Sequence, residues 1–64
     1  MFYNLEGIIS EIDINQAVIE CNGIGFLVFV SANTIGALKL GSKQKLYITE
    51  AISENSFDLY GFAG

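Results

Sequence analysis

Few residues in this 64-residue chain are of types that do chemistry, and each has a plain reading beside the reactive one. Cys21 is the single cysteine. A thiol becomes a nucleophile when a neighbouring base takes its proton, and the chain contains no His to do so. At the end of a strand-forming stretch, Cys21 reads as a small core residue. Carboxylate pairs at Glu11 and Asp13, or at Glu54 and Asp58, have the side chains for acid–base work. They lack a pocket in so short a chain, which leaves them as solvated surface. Gly23-Ile24-Gly25 has no third glycine and no helix after it, so it serves a turn and not a dinucleotide phosphate. The aromatics Tyr3, Phe26, Phe29, Tyr47, Phe57, Tyr60 and Phe62 are candidate base-stacking platforms, a mode that also needs a basic groove. Only Lys39, Lys43 and Lys45 carry positive charge, too few to line one. The aromatics are therefore expected in the core and in subunit contacts. No catalytic residue, metal site or cofactor site is expected.

The composition narrows the classes further. Seven acidic and three basic residues give a net charge of −4. A free-standing nucleic-acid binder is normally basic, because neutralising phosphates supplies most of its affinity. A chain of this size buries only about 60% of its unfolded surface. One cysteine cannot form an internal disulfide, and no Cys/His cluster can hold zinc. Oligomerisation or packing on further domains is the remaining support, in keeping with a hydrophobic content of 52%. No apolar run approaches the ~20 residues that span a bilayer, and no signal-peptide pattern opens the chain. A cytoplasmic location without membrane contact is expected. Residues 1–64 form one domain, expected to be the first of a longer protein, since the chain stops two residues after a strand-like segment.

The elements that must position these residues follow from pattern and turn chemistry. Asn22-Gly23, flanked by Val18–Cys21 and Gly25–Val30, is a strong hairpin signal, because a type I′ turn needs positive φ at both central residues. The dense apolar run from Gly25 to Val30 reads as a strand covered on both faces. Phe2 to Ile14 reads as a long first strand bent or bulged at Gly7, with Asp13-Ile14-Asn15 turning the chain. Gln16–Cys21 and Gly25–Ser31 make the second and third strands. Ser31 is a capping residue, and Ile35 and Leu38 stand at helical spacing, which predicts a turn or two of helix ending near Lys39–Gly41. Lys43–Ile52 is the fourth strand, with Leu46, Ile48 and Glu50 on one face, and Phe57–Phe62 is the fifth. Between them Ser53-Glu54-Asn55-Ser56 is a polar tip. Five strands with one helix between the third and fourth give an all-β, five-stranded Greek-key barrel of OB-fold type, with an SH3-like barrel as competitor.

At that tip and around it, the sequence resembles the RuvA family, the Holliday-junction-binding subunit of the bacterial branch-migration machine. The resemblance is carried by the opening Met1-Phe2-Tyr3-Asn4-Leu5-Glu6-Gly7-Ile8-Ile9, by Glu20-Cys21-Asn22-Gly23-Ile24-Gly25-Phe26 and by Leu59-Tyr60-Gly61-Phe62. It spans essentially the whole chain, as the family's N-terminal OB-fold domain. The resemblance implies a non-catalytic, cytoplasmic DNA-binding module acting in recombination, repair and the SOS response. It further implies a homotetramer that holds a four-way junction open, helix-hairpin-helix motifs in a second domain that grip phosphates, and a third domain that meets the RuvB motor. From this first domain it implies part of the tetramer centre and an acidic pin of two adjacent carboxylates facing the crossover. Glu54 and Asn55 stand at the pin positions, and Asn55 departs from the pattern by being uncharged. The alternative is a small barrel that acts only in oligomerisation or protein contact.

Overall fold

The computed structural model describes residues 2–63. Strands β1 (Phe2–Ile12), β2 (Gln16–Cys21) and β3 (Ile24–Val30) are followed by helix α1 (Ala32–Ala37) and strands β4 (Lys43–Ile52) and β5 (Phe57–Phe62). The strands close into a barrel in the order β1-β2-β3-β5-β4. This is the architecture of an OB-fold. Every contact between sequential strands is antiparallel, and closure comes from a short parallel pairing of β3 with β5 at Phe29↔Tyr60 and Val30↔Gly61.

The length of β1 is what allows closure. Its first part, Phe2 to Ile8, pairs with β4, and its second part, Ile8 to Ile12, pairs with β2. Gly7 stands at the changeover, where a Cβ would run into the Glu20 carbonyl oxygen and lie 2.9 Å from Cys21 Sγ. The bend expected at Gly7 is thus a close backbone approach. The bulge itself lies further on, where the register shifts between Ile9 and Glu11 and leaves Ser10 as the extra residue. The strand also ends at Ile12 and not at Ile14, because the Asp13 carboxylate accepts from Ile14 N (2.8 Å) and Asp13 N donates to Gln16 O (2.8 Å), closing the turn.

The hairpin signal gives the expected local geometry. Asn22 (φ 52°) and Gly23 (φ 82°) both adopt positive φ, as a two-residue I′ turn requires. α1 is a short helix whose N-terminus is capped by Ser31, its hydroxyl accepting from Thr34 N at 3.3 Å. After it the chain returns beside β1, with Gly41 N donating to Ile9 O (2.7 Å) and Ile9 N to Ser42 O (3.0 Å).

The buried core is aliphatic: Ile9, Ala17, Ile19, Val28, Val30, Leu38, Leu46, Ile48 and Leu59. Strict alternation along β2, β4 and β5 places these on the inner wall, as the period of two dictates. β3 is not covered on both faces as its apolar run suggests. Val28 and Val30 point inward, while Leu27 on the opposite face remains 52% exposed and Ile24, at the turn end of the strand, 59%. Among the described residues no helix is long and apolar enough to cross a membrane.

Candidate functional site

β4 and β5 form a hairpin with rungs Tyr47↔Phe62, Thr49↔Tyr60, Ala51↔Asp58 and, last, Ile52↔Phe57. Its four-residue tip is closed twice. Ser53 N donates to Ser56 O at 2.8 Å, and the Ser53 and Ser56 hydroxyls lie 2.8 Å apart in a hydrogen bond. Small hydroxyl residues at both corners satisfy the tip locally, so Glu54 and Asn55 between them need no partner and are exposed. The structure therefore brings the two sequence-predicted site residues together, side by side on a tied turn. Glu50 and Asp58 lie on opposite faces of the hairpin. Glu50 shares the inner stripe with Leu46 and Ile48 and is half-buried, whereas Asp58 opposes Ala51 on the outer side. Glu50 acts on Tyr3, whose phenol is pushed above its ordinary pKa by burial first and by the Glu50 charge second.

The hairpin extends beyond the barrel wall. The last described rung between β1 and β4 is Phe2↔Thr49, and β4 runs three residues further to Ile52. The inner stripe of β4 and β5 continues with it. Leu46 and Ile48 are fully buried and Glu50 half-buried, and the next residue in the series, Ile52, is 69% exposed. On β5, Gly61 and Leu59 are buried and Phe57 is 59% exposed. Two apolar side chains of core parity thus stand beneath Glu54 and Asn55 with no cover among the described residues.

The outer face of the same hairpin carries Tyr47, Tyr60 and Phe62, and Phe29 of the neighbouring β3 joins them. Phe29 and Tyr60 have ring centroids 5.6 Å apart with planes inclined at 31°, and Tyr47 and Phe62 lie 6.0 Å apart inclined at 28°. Lys45 Nζ sits 5.6 Å from the Tyr47 ring centroid, a cation–π contact. The sequence places these rings in the core and in subunit contacts, and in the domain none is fully buried. Tyr3 and Phe26 do pack against the core from its margin. The reason is spatial: aliphatic side chains already fill the interior of a five-stranded barrel. An open hollow lined by Asn15, Phe29, Val30, Ser31, Tyr60 and Gly61 lies beside the Phe29–Tyr60 pair.

The remaining candidates do not assemble into a reactive site. Cys21 is half-buried, and its thiol donates to Glu6 O at 3.2 Å. Asp13 belongs to the β1–β2 turn, and Glu11 is exposed beside it. Among the described residues no three His, Cys, Asp or Glu side chains cluster to hold a metal ion. Lys43 and Lys45 stand two residues apart on β4, opposite Ile8 and Glu6, and Lys39 lies in the connection after α1.

The tied acidic tip, on a closed barrel with one helix between β3 and β4, is the context in which relatives are informative. The family described as RuvA N terminal domain matches residues 1–61. The chain belongs to that family. It is 48% identical over 63 residues to the Holliday junction branch migration complex subunit RuvA of Bacteroides fragilis, covering 98% of this chain and 31% of that protein. The same-named protein of Bacteroides thetaiotaomicron is 43% identical over 63 residues, with the same two shares of 98% and 31%. That of Corynebacterium diphtheriae is 39% identical over 62 residues, covering 97% of this chain and 30% of its own. The chain thus spans about a third of the length of the RuvA proteins it matches.

Proposed function

We propose that this chain is the junction-facing domain of a RuvA subunit, a non-enzymatic part of a cytoplasmic Holliday junction branch-migration complex. In this reading it builds the centre of a homotetramer and presents Glu54 and Asn55 at the strand crossover. The observation that carries the proposal is the exposed, hydroxyl-tied tip bearing Glu54 beyond the barrel wall, in a chain of the RuvA N-terminal family. The outer aromatic pairs support the assembly part of the reading, because contiguous exposed rings mark surfaces that gain a partner.

The physical action of such a tip is repulsion. A carboxylate 5 Å from a phosphate is disfavoured by about 3 kcal/mol at an effective dielectric of 20, and by less once salt screens the pair. Repulsion at the centre destabilises stacked junction forms and steers separating strands outward. It performs no work, which falls to the RuvB motor acting through a part of the protein outside this domain. The domain's net charge of −4 is compatible with this division, since the phosphate grip belongs elsewhere. With Asn55 uncharged, each subunit contributes one pin carboxylate, so a tetramer carries four where a two-acid pin carries eight.

The test uses a chimera in which this chain replaces the matching 63 residues of Bacteroides fragilis RuvA. Asn55→Asp is expected to open the bound junction further, read as increased distance between arm-end fluorophores, and to speed branch migration by the motor. Glu54→Gln is expected to do the reverse. Unchanged geometry and rate in both variants would remove the pin from the mechanism. The isolated domain is expected to bind neither a four-way junction nor a linear duplex appreciably at low or moderate salt. Preferential junction binding by the domain alone would overturn the proposed division of labour.

A further inference from the structure

The Ile52–Phe57 rung is an unusual use of apolar surface. Inner-wall residues of a barrel are normally covered, yet this pair continues the core stripe past the last described β1–β4 rung and stays 69% and 59% exposed. The rung lies immediately below the tip, and the tip is closed by two hydrogen bonds, so the pair is held on a stiff support. Exposed apolar residues at a hairpin end are costly in solubility and prone to association, which gives them reason to have a partner.

We propose that Ile52 and Phe57 form a platform for the face of a nucleobase at the junction crossover. The proposal rests on the reading of the tip as junction-facing. The electrostatics of the tip select this occupant. Glu54 next to the platform repels phosphate, so the backbone is turned away from the ring. A base has a neutral, flat face that an aromatic ring accepts whatever the sequence. An acidic tip over an aromatic ring therefore sorts the two parts of a nucleotide, excluding the anion and seating the base. At a crossover, where base pairs end and strands change partners, a base face without its stacking neighbour is available. Insertion of an apolar side chain beside such a step costs less there than in continuous duplex, where stacking must first be broken. Phe57 supplies the flat surface, and Ile52 opposite it supports the ring and extends the apolar area.

The experiment is a fluorescence titration of the same chimera carrying Phe57→Trp. This chain contains no Trp, so the substitution places a single indole in the domain. Emission is compared with that of the unsubstituted chimera to subtract any signal from the rest of the protein. On saturation with a four-way junction, the Trp signal is expected to fall by about two-fold or more as the indole stacks on a base. A linear duplex bound to the same extent is expected to leave it unchanged. Phe57→Ala is expected to weaken junction binding by about five-fold or more, the lower end of what truncating a stacking aromatic costs, and Phe57→Tyr to restore it.

Three outcomes overturn the platform. Unchanged emission with junction binding intact removes it, and the pin reading survives if Glu54→Gln still alters junction geometry. Equal quenching by duplex removes the crossover specificity. A blue-shifted, DNA-insensitive emission in the assembled protein shows that a neighbouring subunit covers the rung. If emission is unchanged and Glu54→Gln also has no effect, the pin reading fails as well.

Discussion

The two ends of β4 differ in how they treat apolar surface. At its start, α1 and the connection after it close over the barrel. Leu38 joins the buried core, Ile35 packs against it, and Ile9 exchanges hydrogen bonds with Gly41 and Ser42. At its other end, some 30 Å away along ten extended residues, the inner stripe runs out into Ile52 with no cover among the described residues. One strand thus begins as a piece of core and ends as a piece of surface. The capped end holds the fold, and the open end is free to meet something else. Stability and function are expected to separate along the same strand.

The separation is most easily broken at the capped end. Leu38→Ala removes a buried side chain that links the α1 connection to the core, and a loss of about 2–4 kcal/mol is expected. A domain this small has a total stability of only a few kcal/mol (roughly 3–6 at 0.05–0.1 kcal/mol per residue), so the variant should be largely unfolded or melt far earlier by circular dichroism. Retention of the parental melting temperature would mean that α1 is not part of the cooperative unit. Ser31→Ala tests the same end more gently. It deletes the acceptor for Thr34 N, and a cap of this type contributes about 1 kcal/mol. The urea midpoint should fall with the slope unchanged, and Ser31→Asp should recover most of the loss.

Much of this arrangement was legible in the sequence, and the parts that were not share a cause. β2, β4 and β5 have the expected boundaries because their ends are set locally, by Asn22-Gly23, by Gly41-Ser42 and by the Ser53–Ser56 tip. The helix cap at Ser31 and the position of Glu54 and Asn55 at a hairpin tip were likewise local facts. The bulge at Ser10 was not, since it arises from how β1 divides its pairing between β4 and β2. Neither were the aromatic pairs. Phe29 meets Tyr60 only because β3 and β5 close the barrel in parallel, a contact between residues thirty-one positions apart. The overhang of Ile52 and Phe57 depends on where β1 stops opposite β4, and a sequence shows only that both residues have core parity. Properties fixed by a turn could be read in order along the chain. Properties fixed by register between distant strands needed the closed barrel.

The smallest expected effect on stability is at the open end, and it sharpens the contrast most. Phe57→Ala, Ile52→Ser and Glu54→Gln remove side chains that are mostly in water, so each should change the folding free energy of the isolated domain by no more than about 0.5 kcal/mol. Ile52→Ser and Phe57→Ala should also raise the concentration at which the domain associates, by lightening its exposed apolar load. Urea unfolding and sedimentation on the same samples read both quantities. A loss near 2 kcal/mol at Phe57 would mean that the ring is part of the cooperative core and that the open end is closed in solution. The overhang would then be held for stability, and the division between the two ends of β4 would disappear. A near-zero change leaves the uncovered rung with no structural reason to be apolar, and its reason must then lie in what the hairpin meets.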